Sequence, residues 1–166
     1  MAGAGGLVFD ASVLIDYIAV DPSLLGLVAR HVGSVVIPLL VLAEVDGLDE
    51  PEAIALGLTV HEPTDDQLDE AMARPRSLSF QDAMCFATAR DLGLTCVTND
   101  AALGAYCEAA GVPTMRGFRP LITLVDLGVV SRLEGVRMVR SVHARNAYIT
   151  RSVVVVFVRE VRRLRP

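Results

Sequence analysis

Four carboxylates stand where a parallel α/β sheet would gather its chemistry. Asp10 closes the apolar run Leu7-Val-Phe, and Asp100 follows the apolar stretch Leu94–Thr98. Asp82 falls in the first turn of a helix opened by Ser79, and Glu44 falls one to two turns into a helix after a second apolar strand. In open parallel sheets, ligands bind outside the carboxyl ends of the strands, and all four acids can point there. Crowded carboxylates repel and cannot all stay ionised alone. A divalent cation removes that conflict, and an oxygen-only donor set suits Mg²⁺ or Mn²⁺ rather than zinc. Each acid also has a plainer role. Asp82 and Asp100 are favourable at helix N-termini, and Asp10 can cap the helix that follows it. Glu44, between Leu42, Ala43 and Val45, has the weakest such alternative. Taken singly, the plainer role is favoured; taken together at strand ends, the balance reverses.

The elements that must hold these side chains read as an alternation of strands and helices. Short apolar runs at Gly6–Asp10, Ser34–Ile37, Leu58–His61, Leu94–Thr98 and Val112–Met115 read as buried parallel strands. Between them, helical spacing covers Ala11–Val20, Leu24–His31 behind Ser23, Thr64–Ala73 and Ala101–Ala110. Pro38 is expected in the first turn of the helix that carries Glu44, and Asp46–Glu52 reads as a polar loop. Ser79-Phe-Gln-Asp82 resembles a capping box for a helix Phe80–Leu92 that Gly93 closes. The expected fold is a three-layer α/β/α domain with a central parallel sheet. After Arg119 the strands stop, and helices are expected at Leu121–Gly128 and Leu133–Ser141. Asn146–Leu164 has a valine run with strand propensity, but its apolar spacing and length favour a helix.

Composition removes several classes. All 15 basic residues are arginines, so no P-loop lysine and no Schiff-base lysine exist. Gly3, Gly5 and Gly6 precede the first strand, whereas a dinucleotide-binding loop must follow it. Cys85, Cys96 and Cys107 form no CxxC pair, which argues against structural zinc and for packing in a reducing compartment. Mean hydropathy is +0.48. Even so, the longest apolar run, Val35–Ala43, is broken by Pro38 and falls far short of the roughly 20 residues of a spanning helix. No signal peptide is evident, and a cytoplasmic protein without a membrane partner is expected. The net charge of −5 is strongly asymmetric: residues 1–115 hold 4 Arg against 17 Asp and Glu, and residues 116–166 hold 11 Arg against 3. Either the basic segment meets phosphates or an acidic partner, or the two parts attract each other.

Four segments carry a family resemblance. Leu7-Val-Phe-Asp-Ala-Ser-Val-Leu-Ile-Asp16 looks like the opening motif of PIN domains. Ile37-Pro-Leu-Leu-Val-Leu-Ala-Glu-Val45 resembles their second motif, Leu78–Arg90 with Asp82 the third, and Cys96-Val-Thr-Asn-Asp-Ala-Ala-Leu103 the fourth. Each is weak alone; four in order are specific. The resemblance covers roughly residues 7–116 of a single domain, 1–166, with a helical C-terminal extension at 117–166. It implies an Mg²⁺- or Mn²⁺-dependent endoribonuclease in which Asp10, Glu44, Asp82 and Asp100 bind metal, and Ser12 and Thr98 orient water or ligands. Many PIN proteins are VapC-like toxins that pair with an antitoxin protein, and many form homodimers; both partners are expectations here. The Arg-rich extension departs from a minimal PIN toxin, although Arg145-Asn-Ala-Tyr-Ile-Thr150 resembles the C-terminal regions of some PIN-like proteins.

Such a site hydrolyses RNA phosphodiesters with a metal-activated water and needs no histidine; His31, His61 and His143 lie outside the motifs. An acidic site repels RNA, so arginines must hold the substrate. Arg116 and Arg119 follow the last strand and are the first candidates, while Arg74 and Arg76 flank the site in sequence. The competing class is a catalytically silent PIN-like module that binds RNA or a protein. A haloacid-dehalogenase-type phosphatase would want an aspartate where Ser12 stands.

Overall fold

The structure, a computed structural model, describes residues 5–164; Gly3 and Arg165 lie outside the described residues. Five parallel strands form the sheet: β1 (Leu7–Phe9), β2 (Val35–Pro38), β3 (Thr59–His61), β4 (Thr95–Val97) and β5 (Thr114–Met115). Their order is β3-β2-β1-β4-β5. β1 is central, with Val8 opposite Val36 on one side and Cys96 on the other. The chain leaves β1 toward β2 and later returns to pair β4 on β1's other edge. The sheet therefore reverses its order between β1 and β4, and a crevice opens at the carboxyl ends of that pair.

Alternation along each strand sends side chains to two faces. Leu7, Phe9, Val35 and Ile37 face one core, which is covered by α1 (Ala11–Val20), α2 (Ser23–His31), α8 (Arg119–Asp126), α9 (Arg132–Arg145) and α10 (Arg151–Arg163). Val8, Val36 and Cys96 face the other, beneath α5 (Asp65–Met72), α6 (Phe80–Leu92) and α7 (Ala101–Ala109). The result is the expected α/β/α layering. Short helices α3 (Leu39–Leu42) and α4 (Glu50–Ala55) fill the β2–β3 connection.

Two local expectations change. Pro38 ends β2 with extended backbone (φ −60°, ψ 133°), and α3 stops at Leu42, so Glu44 sits in the turn beyond it and not within a helix. The polar loop at 46–52 contains the start of α4. The Asp49 carboxylate accepts from the Glu52 N–H and the Glu52 carboxylate from the Asp49 N–H, a reciprocal cap with Pro51 in the first turn.

The valine run is helical, as its length favoured. Val154, Phe157 and Val161 are buried along one side of α10, and Phe157 meets Phe118 edge-on at 6.1 Å. Gly135 lets α9 approach closely: a Cβ there would lie 2.9 Å from Val125 and 3.5 Å from Phe157. The extension is tied to α1 by polar contacts too. Asn146 Nδ2 donates to Asp16 Oδ1 at 2.8 Å, and Arg145 donates to the Ala19 carbonyl. Burial pushes the Asp16 carboxyl above its ordinary range, the Asn146 bond opposes that, and the charge of Asp10 adds to it. Among the described residues, no single helix is long and apolar enough to cross a membrane.

Candidate active site

Three helix N-termini converge on the carboxyl ends of β1 and β4, and each engages one of the expected aspartates, Asp10 and Asp100 as caps and Asp82 as the partner of the cap Ser79. Asp10 caps α1, with Oδ1 accepting from the Val13 N–H at 2.7 Å. Asp100 caps α7, with Oδ1 accepting from the Leu103 N–H at 2.8 Å. Asp82 closes the capping box of α6: Oδ2 accepts from the Ser79 N–H at 2.9 Å, and the Asp82 N–H donates to Ser79 Oγ at 3.0 Å. The plainer role of each acid is thus real. It also spends only one carboxylate oxygen per residue. Among the described residues, Asp82 Oδ1 and Asp100 Oδ2 accept no hydrogen bond, which leaves both available to a ligand.

Asp10 is the most enclosed of the four, at 2% exposure. The Ser12 hydroxyl donates to its Oδ1 at 2.9 Å, and the Thr98 hydroxyl donates to its Oδ2. Thr98, itself buried, also accepts from the Asp100 N–H at 2.9 Å, so one side chain couples the ends of β1 and β4. Burial raises the Asp10 pKa above its ordinary value. The bonds from Thr98, Val13 and Ser12 pull it down, and the negative charge of Asp82 pushes it up again. The same two aspartates, after burial, help hold the Cys85 thiol far above its usual range, so Cys85 is an inert packing group.

Glu44 is exposed, and the structure joins it to the others only indirectly. Gln81, adjacent to Asp82 in the first turn of α6, donates its amide N–H to Glu44 Oε1. Gln81 was not singled out from sequence although it lies within the third motif. Asn99, also overlooked, lies between Thr98 and Asp100. Its Oδ1 accepts from the Gly117 N–H at 3.0 Å, and a Cβ at Gly117 would stand 2.6 Å from Asn99 Nδ2. Only glycine lets the loop after β5 close on the site in this way.

That loop carries Arg116, whose guanidinium reaches the Asn99 carbonyl at 3.5 Å. Thr98, Asp100, Gly104 and Arg116 line a cleft of about 270 Å³. It adjoins a groove of about 790 Å³ that shares Arg116 and continues past Arg119, Tyr148 and Ser152. Arg119 is engaged by Glu160 of α10 at 3.2 Å and lies in this groove rather than in the cleft. Arg74 is spent on structure: it donates to the Leu78 and Ala71 carbonyls and stacks its guanidinium 5.7 Å from the Phe80 ring centroid.

The charge at the site is uncompensated. The ion pairs among the described residues join Arg90 to Glu70 and Asp91, and Arg119 to Glu160, and none reaches Asp10, Glu44, Asp82 or Asp100. Nor, among the described residues, do three or more His, Cys, Asp or Glu side chains gather where they could hold a metal ion. The donor set fits a hydrated ion better than a caged one. Mg²⁺ keeps several waters and is commonly held by one or two carboxylates plus a phosphate. Asp10 and Asp82 could supply those carboxylates, with Asp100 across the Thr98 bridge. A scan against protein-family models finds no match for the chain, and a search of curated proteins finds no significant relative.

Proposed function

We propose that this chain is a metal-dependent endoribonuclease of the PIN-domain type, with Asp10, Asp82 and Asp100 as its central carboxylates. One observation carries the reading: three aspartates, each bonded at a separate helix N-terminus, stand around the carboxyl ends of β1 and β4, and none is ion-paired with an arginine among the described residues. A structural cap needs no such convergence, and like charges gathered this way disfavour one another unless a cation joins them. The motif resemblance adds the substrate class.

A bound Mg²⁺ or Mn²⁺ would supply an activated water and neutralise charge growing on the phosphate. The protein's own part is positional. Ser12 and Thr98 fix the Asp10 carboxylate by its two oxygens, and the caps on Asp82 and Asp100 leave their remaining oxygens without a hydrogen-bond partner among the described residues. Arg116, at the rim of the cleft, meets a phosphate of the RNA with its planar fork. Hydrolysis adds water across one phosphodiester: the P–O3′ bond breaks, the 3′ oxygen takes a proton, and the products carry a 3′-hydroxyl and a 5′-phosphate. Glu44 serves at the outer edge, held by Gln81.

The test is cleavage of labelled single-stranded RNA with Mg²⁺, Mn²⁺ or EDTA, beside Asp82→Asn. The amide oxygen keeps the α6 cap, so this variant folds while losing the charge. Metal-dependent cutting that Asp82→Asn loses supports the reading. A folded wild type that binds RNA and never cuts it would instead define a binding module.

A further inference from the structure

The charge asymmetry of the sequence left two readings open, and the structure separates them. If the basic extension served to hold the acidic body, its arginines would pair with acids of residues 1–115. Among the described residues they do not. Arg119 pairs with Glu160 inside the extension, while Arg116 and Arg145 reach backbone carbonyls of the body. Arg140 of α9 and Arg151, Arg159, Arg162 and Arg163 of α10 instead line one groove of about 660 Å³ between those two helices. None of the five makes an ion pair with a described residue. No carboxylate lines the groove.

Its floor is aliphatic. Val154, Val155 and Val158 lie along it, and Val155 is 48% exposed in the middle of a helix. On α10 the 3.6-residue period centres the groove residues 151, 155, 158, 159 and 162 on one side. Residues 153, 156, 157 and 160, which border the groove leading from the acidic cleft, centre on the other, and the two linings adjoin at Ser152 and Arg163. The arginine groove therefore opens on a different side of α10 from the site proposed for RNA cleavage.

We propose that the α9–α10 groove is a docking site for an acidic amphipathic helix of a partner protein. An exposed valine stripe between arginines complements a helix with an aliphatic face flanked by Asp and Glu. Arginine forks bind carboxylates bidentately and tolerate desolvation better than lysine would. The lining favours peptide over RNA. Its three valines give the aliphatic face of a peptide more to bury than a nucleotide offers, it has no Phe, Tyr or Trp on which a base could stack, and its one ring, His143, bonds the Ile149 carbonyl through Nδ1. The inference stands whether or not the chain is a nuclease.

The test uses the full chain and a synthetic helical peptide of about twenty residues, with leucines at i, i+4 and i+7 and glutamates beside them. A scrambled peptide of equal composition and a single-stranded RNA oligonucleotide run alongside, all read by fluorescence anisotropy near physiological salt. The amphipathic peptide should bind at least about tenfold more tightly than the scrambled one, because scrambling removes the apolar contact. Arg159→Glu with Arg162→Glu should weaken it by about thirtyfold or more, and Val155→Ser by about three- to tenfold. Circular dichroism checks that both variants fold, and Val155→Ser keeps the proposal testable if the double variant does not. Equal binding of the two peptides, no binding of either, or RNA that competes for the groove and is lost in these variants would each overturn the proposal.

Discussion

Thr98→Val should uncouple the two central strands of the site at a cost that depends on pH. The Thr98 hydroxyl is buried, donates to Asp10 Oδ2 and accepts from the Asp100 N–H. Valine has nearly the same shape, so no cavity forms and the loss is one of hydrogen bonding. A bond to a charged group contributes roughly 1.5–3 kcal/mol, and the part-buried bond from the Asp100 N–H contributes about 0.5 kcal/mol. The sum is roughly 2–3.5 kcal/mol at neutral pH, or about 4–14 °C in melting temperature for a chain of this size. Thr98→Ser keeps both bonds and should lose only a methyl, about 1 kcal/mol.

The sign of the pH effect follows from Asp10. Burial holds its pKa above 3.8, and the Thr98 bond counteracts that, so the variant's Asp10 should titrate higher still. A carboxyl raised in the folded state gives stability that is complete below its unfolded pKa and is lost as pH rises through its folded pKa. The variant loses more over that climb. Its deficit against wild type should therefore be small near pH 4 and full near pH 7. Urea unfolding of the three proteins at both pH values measures this. A deficit below about 0.5 kcal/mol at pH 7, or one equally large in acid, would refute the bridge as the link between β1 and β4.

Two further perturbations address the metal and the RNA. Asp10→Asn removes a charge that burial and Asp82 both disfavour, so the protein should be no less stable at neutral pH while losing nuclease activity. Saturating Mn²⁺, at about a hundred times its Kd, should stabilise wild type by about 2.7 kcal/mol and the variant by much less; an undiminished thermal shift in Asp10→Asn would remove Asp10 from the metal site. Arg116→Ala, made in the Asp82→Asn background so that RNA survives, should weaken binding about three- to tenfold across sequences and lower the salt slope by about 0.7, the value for one phosphate contact to a single strand. An unchanged slope would mean that Arg116 meets no phosphate.

Where a local signal and the burial pattern agreed, the sequence was legible. Ser79 and Gly93 bounded α6 correctly because both ends carry chemistry that nothing else satisfies, a capping box and a left-handed C-cap. Asp49-Glu-Pro-Glu52 carried the same kind of cap, but its polar run read as loop because acids dominate it. Glu44 was misplaced for a different reason. Its apolar neighbours continue a helical spacing, while the chain must turn after Leu42 to bury Val45 and Leu48. Gln81 and Asn99 could not be found by residue type, since a neutral amide becomes informative only once its partner is known.

The convergence of the aspartates explains why structural and chemical roles could not be told apart one residue at a time. Asp10 has both oxygens bonded, but at Asp82 and Asp100 a helix cap demands one acceptor and a metal site demands a second oxygen from the same group. Both demands are met because a carboxylate has two oxygens and the cap fixes the direction of the free one. Asparagine satisfies the first demand and fails the second, whereas alanine fails both. The ratio of lost activity to lost stability in paired Asn and Ala variants at position 82 or 100 therefore separates the roles. If Asn there keeps both the fold and metal-dependent cutting, the aspartate is a cap alone, and the catalytic assignment at that position falls.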